Sequence, residues 1–366
     1  MPYPQIEPEQ IKVYPLDQRK SKSQIKDISV NPKTKIDPGA MTPGIEETVK
    51  RIKHARENGA AVILAFGAHL IKNGLAPVVI QLMEMGWVTH VAGNGACGIH
   101  DWEFSLLGRS EEDVRANVPH GQFGTWEETG KYINLAVQVG AARGMGYAES
   151  LGALIEEEEL IIPQPSDLVD QIQQSLPEGD DLTAAKMDLL RTIRKFNLSA
   201  GEWHIKHATK KYSIFGAAYR LNVPATIHPG IGYDIIYNNP FANGAGLGRA
   251  AHTDFKVMVN SVNNLSNGVF LSVGSAIMAP QVFEKSISFA NNLKLQKGEP
   301  ITHDHFLVVN DLQESTWDWS QGEPPKESPD YYFRFLKSFY RMGGEVKYIA
   351  GDNRAFLTNV LQQLSA

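Results

Sequence analysis

One cysteine, Cys97, stands in 366 residues, so no intrachain disulfide can form and a zinc site built on several thiolates is excluded. Cationic excess is also missing: Lys and Arg number 35 against 41 Asp and Glu, a formal net charge of −6. Without a basic footprint or a charge run, neither nucleic acid nor an anionic membrane is an expected partner. No apolar run reaches the roughly 18 residues that a membrane span needs. Met1-Pro2-Tyr3-Pro4-Gln5 has no basic stretch leading into an apolar one, so neither a secretion signal nor an anchor is expected and the localisation reads as cytoplasmic. Solenoid repeats are absent. What remains is 42% hydrophobic and 21% charged, the composition of a folded chain with a sizeable core.

Residues 1–45 are polar, rich in Lys and Pro and without periodicity, which predicts an extended N-terminal arm lying over the body or over a neighbouring subunit. Residues 46–366 predict a single α/β domain. Ile45 to Ile52 repeats apolar residues at helical spacing, and Ala60 to Phe66 is a continuous apolar run fit for a strand buried on both faces. Leu75 to Gly86 predicts a helix with Pro77 in its first turn and glycine at its end, and Val88 to Ala92 a second strand. Strand, helix, strand in this order give a parallel βαβ unit. Around 150–200 the chain predicts a helical acidic insertion containing Glu156-Glu157-Glu158-Glu159. Beyond it, strands are expected at 223–227, 268–273, 306–309 and 346–349, with a last helix over 355–364. The fold class is therefore α/β, a Rossmann-like parallel sheet with helices on both faces.

Gly93-Asn94-Gly95-Ala96-Cys97-Gly98 has the G-x-G-x-x-G spacing that lets backbone N–H groups approach a phosphate. An ordinary tight turn has the same glycines. The motif follows the second strand, and no acidic strand end lies about 20 residues on, which argues against a standard dinucleotide fingerprint.

Other residues carry chemistry by type. His228, at a strand end before Pro229-Gly230, is the best acid–base group on the sheet's carboxyl edge; a satisfied buried histidine is the alternative. His303 and His305 face one side of an extended segment and can pair with a metal, with His252, Asp254, His100 and Asp101 as further ligands; loop histidines that cap backbone groups are the alternative. Cys97 is either a thiolate at a helix start or a small packed residue. Asn243-Gly244-Ala245-Gly246-Leu247-Gly248-Arg249 is a second glycine-rich loop, whose Arg249 can hold a carboxylate or phosphate; it follows Asn238-Asn239-Pro240, so a flexible turn is the simpler reading.

Leu70-Ile71-Lys72-Asn73-Gly74 followed by Gly86-Trp87-Val88-Thr89-His90-Val91-Ala92-Gly93-Asn94-Gly95-Ala96 resembles the opening of the deoxyhypusine synthase family, with its Leu-Ile-x-x-Gly and Ala-Gly-Gly motifs. Gly232-Tyr233-Asp234, Leu271-Ser272-Val273-Gly274-Ser275 and Val346-Lys347-Tyr348-Ile349-Ala350-Gly351-Asp352 resemble later family motifs in the same order. The resemblance implies a deoxyhypusine-synthase-like fold with NAD as cofactor, held at positions corresponding to Gly67, Ala68, His69, Gly93, Asn94, Gly95, Asp234, Gly274, Ser275, Asn310 and Asp352. Asp234 and Asp352 would take ribose hydroxyls; a helix N-cap or turn aspartate is the alternative. Pro329-Asp330 followed by Lys337 matches the spacing of the family's imine-forming lysine, although Tyr331, Phe335 and Leu336 replace its acidic, Trp and Gly residues; a solvated helix lysine is the alternative. The implied activity is NAD-dependent chemistry on a small amine, polyamine or amino acid through an imine on Lys337, with His228 assisting, in a homotetramer. A nucleotide-binding protein without catalysis and a metal-dependent hydrolase using His303, His305 and Asp254 are the alternatives.

Overall fold

The computed structural model describes residues 3–315 and 317–366. Its contacts gather into two compact units. One is made of Met1–Asp27, Gly98–Arg220 and Pro229–Asp254, the other of Ile28–Cys97, Leu221–His228 and Phe255–Ala366. The sequence reading has one domain behind an arm. Two of the boundaries fall inside the continuous helices Gly95–Leu107 and Gly244–Asn263, which is why no linker composition marks them.

The second unit is built on six strands: β1 (Val62–Phe66), β2 (His90–Asn94), β3 (Ala225–His228), β4 (Val269–Val273), β5 (Phe306–Asp311) and β6 (Glu345–Ala350). All pairings are parallel, and the order across the sheet is β6-β5-β4-β1-β2-β3. This is the doubly wound order 3-2-1-4-5-6, whose direction of winding reverses between β1 and β4. The expected α/β class therefore stands. Every residue of β1 and β4 is buried, as continuous apolar runs such as Val62-Ile63-Leu64-Ala65-Phe66 require when helices cover both faces.

Alternate strand residues serve opposite faces. Ile63, Ala65, Phe270, Leu307 and Val309 join Phe283, Ile287, Leu336 and Phe339 in one core cluster. The other face is covered by the helices Thr42–Glu57, Ala76–Glu84 and Asn353–Ser365, which pack on one another. Register brings the carboxyl ends together: Phe66 pairs with Gly93 and Val273, Val273 with Asn310, and Asn94 with His228. β2 starts later than its apolar run suggests, because the Val88 N–H still bonds back to the Leu82 carbonyl.

In the first unit the amino-terminal segment is built in. Ser23–Gln24 pairs antiparallel with Arg109–Ser110, Leu16 and Ile25 are buried, and the Arg19 guanidinium forks onto Glu103 at 2.6 and 2.8 Å. Thr129 and Ser110 hydroxyls donate to the same carboxylate, so each oxygen of this buried charge is satisfied. The acidic run splits as its helix ends. Glu157 takes the Tyr219 hydroxyl, Glu158 the His207 N–H, and Glu159 faces His204 across the short antiparallel pair Glu159–Ile162 and Gly201–His204. Among the described residues no helix is long and apolar enough to cross a membrane.

Candidate functional site

At the reversal point, the chain leaves β1 through Gly67 and β4 through Gly274. A Cβ on Gly67 would lie 2.0 Å from the Gly274 carbonyl oxygen, so only glycine permits this backbone approach. Gly274 itself sits at φ +59°, and its N–H donates to the Asn310 carbonyl at 2.9 Å. In doubly wound sheets the crevice beyond these strand ends is where ligands bind. A cavity of about 440 Å³ lies there, lined among others by His69, Asn73, Gly274, Asn310, Asp352 and Arg354.

Asn310 organises this cavity. Its side chain is 1% exposed, and Nδ2 donates to the carbonyls of Ile349 and Gly351 at 3.0 and 3.1 Å. Two carbonyl partners fix which end of the amide is nitrogen. Oδ1 is thereby left buried with no hydrogen-bond partner among the described residues. An orphan acceptor of this kind costs roughly 1–3 kcal/mol until a donor reaches it. Nearby, Asn73 Nδ2 donates to Asn353 Oδ1 at 2.9 Å. The Arg354 guanidinium donates to Asp352 Oδ2 from Nε and Nη2 at 3.1 and 2.6 Å and to Oδ1 from Nε at 3.2 Å, and it holds that carboxyl below its ordinary range. Asp352 also caps the helix Asn353–Ser365 by accepting the Arg354 N–H.

Of the residues expected to hold a cofactor, His69, Gly274, Asn310 and Asp352 line this one cavity. Gly67, Ala68 and Ser275 flank it in the two turns, Ser275 Oγ accepting the Ala279 N–H at 3.2 Å. The glycine motif lies elsewhere, after β2. Gly93 and Gly95 are buried, and Asn94 Oδ1 accepts the Cys97 N–H at 3.1 Å, capping the helix that follows. Cys97 is fully buried with its Sγ 3.5 Å from the Phe66 carbonyl. Asp234 belongs to the other unit, where its carboxylate accepts the Gly230 N–H at 2.8 Å and burial raises it to about 6.

His228 ends β3 on the carboxyl edge, with Nε2 3.1 Å from Thr226 Oγ1. Burial pushes its imidazole down to about 4. Lys337 is on the short helix Arg334–Tyr340 with Nζ 3.5 Å from the centre of the Tyr331 ring, and it does not line the cavity. Among the described residues, His303, His305 and Asp254 are not a group whose ligand atoms meet within 4.8 Å. His303 is exposed and His305 buried, while Asp254 lies in the other unit and accepts the Ala148 N–H. Among the described residues, the ligand types that meet within 4.8 Å are Glu159, Glu202 and His204. Arg249 is paired with Asp188 at 3.1 Å, and Asn243 Oδ1 accepts the Gly246 N–H. Sequence reasoning missed Asn353, Arg354, His90 and Thr226. Their signal was position, directly after β6 or within β2 and β3.

The chain matches no protein-family model and no curated protein. Among solved structures it is similar to AgrE in a ternary complex with ornithine and NAD+, at 13% identity and a TM-score of 0.43, over 88% of this chain and 32% of that one. It is also similar to a putative LOR/SDH protein from Methanococcus maripaludis S2, at 12% identity and a TM-score of 0.44, over 97% of this chain and 76% of that one. ArgZ, an arginine dihydrolase from the ornithine-ammonia cycle in Cyanobacteria, gives 13% identity and a TM-score of 0.40, over 92% and 32%. The chain thus spans about a third of the length of AgrE and ArgZ. These neighbours overturn the resemblance to deoxyhypusine synthase, and the expectations of polyamine chemistry and a tetramer lose the support that rested on it. Its motifs were short and glycine-rich, and such turns recur wherever parallel strands end in tight turns.

Proposed function

We propose that the cavity between the ends of β1, β4, β5 and β6 is a dinucleotide site, and that the chain is an NAD-dependent enzyme acting on a small amine or amino acid. The observation that carries this reading is the cavity at the reversal point of the sheet, lined by Asn310, whose buried Oδ1 has no hydrogen-bond partner among the described residues. Such an acceptor asks for a ligand that presents N–H or O–H groups, as ribose hydroxyls and a carboxamide do. Gly67 and Gly274 would let the ligand approach the backbone, and Asp352 would accept further hydroxyls. NAD, when bound, supplies a two-electron hydride acceptor. In this reading His228 takes the proton from the substrate amine, its low pKa keeping the imidazole neutral and able to accept.

Calorimetric titration with NAD tests the site: saturable binding that Asn310→Ala weakens is expected, and no heat at millimolar cofactor would refute it. Reduced-cofactor absorbance across a panel of amino acids and amines then tests the activity. Binding without turnover on any of them would leave a nucleotide-binding protein, and turnover unchanged in His228→Asn would remove His228 from the reaction.

A further inference from the structure

Four side chains of the sheet unit form an unbroken row. Ser261 Oγ lies 2.8 Å from His90 Nδ1, His90 Nε2 3.0 Å from Thr226 Oγ1, and Thr226 Oγ1 3.1 Å from His228 Nε2. His90 and Thr226 are wholly buried, whereas Ser261 and His228, at the two ends, are partly exposed. His90 opens β2 and His228 closes β3, so the row leads from the carboxyl edge of the sheet back through its interior. His228 Nδ1 makes no hydrogen bond among the described residues.

Counting protons limits what this row can do. Burial pushes His90 down to about 3 and His228 to about 4, so both rings are neutral near pH 7. A neutral imidazole carries one N–H, and each hydroxyl one O–H. Two arrangements satisfy all three bonds with Thr226 donating to one ring and accepting from the other. In the first, Ser261 donates to His90, His90 to Thr226 and Thr226 to His228, whose proton then sits on the outward Nδ1. In the second every bond is reversed, and His228 Nδ1 is a bare acceptor. Thr226 has a single O–H, so its two neighbours cannot both accept from it.

We propose that Ser261, His90, Thr226 and His228 are a proton wire, in which a proton taken at His228 Nδ1 is released from Ser261. Starting from the reversed arrangement, an N–H forms at His228 Nδ1 as the Nε2–H passes to Thr226. The Thr226 proton passes to His90 Nε2, the His90 Nδ1 proton to Ser261, and the Ser261 proton to water. One proton enters and one leaves, and no imidazolium remains in the buried interior, where its charge would be costly. His90 and Thr226 are thereby positioning residues for His228. The inference rests on His228 being the group that exchanges protons with substrate.

Histidine labelled with 15N in the ring, observed by NMR in the unliganded full chain, reads the tautomers directly. His90→Asn and His228→Asn assign the signals. In the wild-type protein the protonated fractions at His90 Nε2 and His228 Nε2 are expected to be complementary. Thr226→Val should uncouple them, and Thr226→Ser should restore the wild-type ratio. Both Nε2 atoms protonated together, with Thr226 only accepting, would overturn the wire, as would an unchanged ratio in Thr226→Val. The wild-type measurement decides even if the valine variant fails to fold. Because it needs no substrate, it stands apart from the turnover of His228→Asn, which tests the functional reading.

Discussion

Gly67 and Gly274 meet backbone to backbone between the ends of β1 and β4, with 2.0 Å between a Cβ built on Gly67 and the Gly274 oxygen. No side-chain rotation can relieve that clash, because the obstructing atom is main chain. Gly67→Ala must therefore push the two strand ends apart, at a cost of about 1–3 kcal/mol. Denaturant titration should show this loss, and NAD affinity should fall by about tenfold or more. Gly248→Ala, in a helix with nothing within 4 Å of the added carbon, is the control and should stabilise by up to about 1 kcal/mol.

Asn310 ties β5 to the turn after β6 while leaving one acceptor unspent. Asn310→Ala removes the donors to the Ile349 and Gly351 carbonyls, so stability should drop by about 1–3 kcal/mol. If Oδ1 receives a ligand donor, NAD binding should weaken by a further factor of about ten, equivalent to about 1.4 kcal/mol. Calorimetry at a temperature where the variant remains folded separates the two effects.

The Arg19–Glu103 pair makes the amino-terminal segment part of the first unit's core. Arg19→Met leaves a buried carboxylate with hydroxyl donors but no countercharge and should cost about 3–5 kcal/mol. The double variant Arg19→Met with Glu103→Leu removes both charges and should recover much of that loss. A urea titration of Arg19→Met, Glu103→Leu and the double variant against the wild type gives the coupling.

Most of the sheet was legible in the sequence because its strands are short apolar runs flanked by glycine: Val62 to Phe66 and Val269 to Val273 could hardly be anything but buried strands. The site was legible only in part. The conspicuous G-x-G-x-x-G spacing sits after β2, where Asn94 caps its own helix, while the reversal point carries the inconspicuous Gly67-Ala68-His69. Strand order, which distinguishes the two turns, is set by long-range pairing that local spacing does not encode. The split of the carboxyl-edge residues was equally hidden, since Asp234 looks like a strand-end acid but belongs to the other unit. The row from Ser261 to His228 joins three separate segments, and neither His90 nor Thr226 differs in composition from an ordinary strand residue.

Buried histidines and buried carboxyls pull the pH dependence of stability in opposite directions. Burial lowers His90 to about 3, and His207, His228 and His305 each to about 4, from an ordinary value of 6.5. Between about pH 4 and 6.5 the unfolded chain takes up a proton at each of these rings that the folded chain refuses, so stability rises with pH. Asp101, raised to about 7, and Asp234, raised to about 6, do the reverse: folded, they keep protons that the unfolded chain has released. Four groups against two leave a net uptake of about two protons on unfolding near pH 5, an upper limit of about 2.7 kcal/mol per pH unit. Denaturation curves from pH 4 to 8 should therefore show stability climbing to about pH 6.5 and then levelling. Asp101→Asn removes one opposing group. It should lower stability overall, because the Asp101 carboxylate caps Ile214 and Phe215 and takes the Ser213 hydroxyl, yet steepen the climb by up to about 1.4 kcal/mol per pH unit. A flat profile, or one that falls between pH 4 and 6.5, would mean that the four imidazoles are not held neutral in the folded chain.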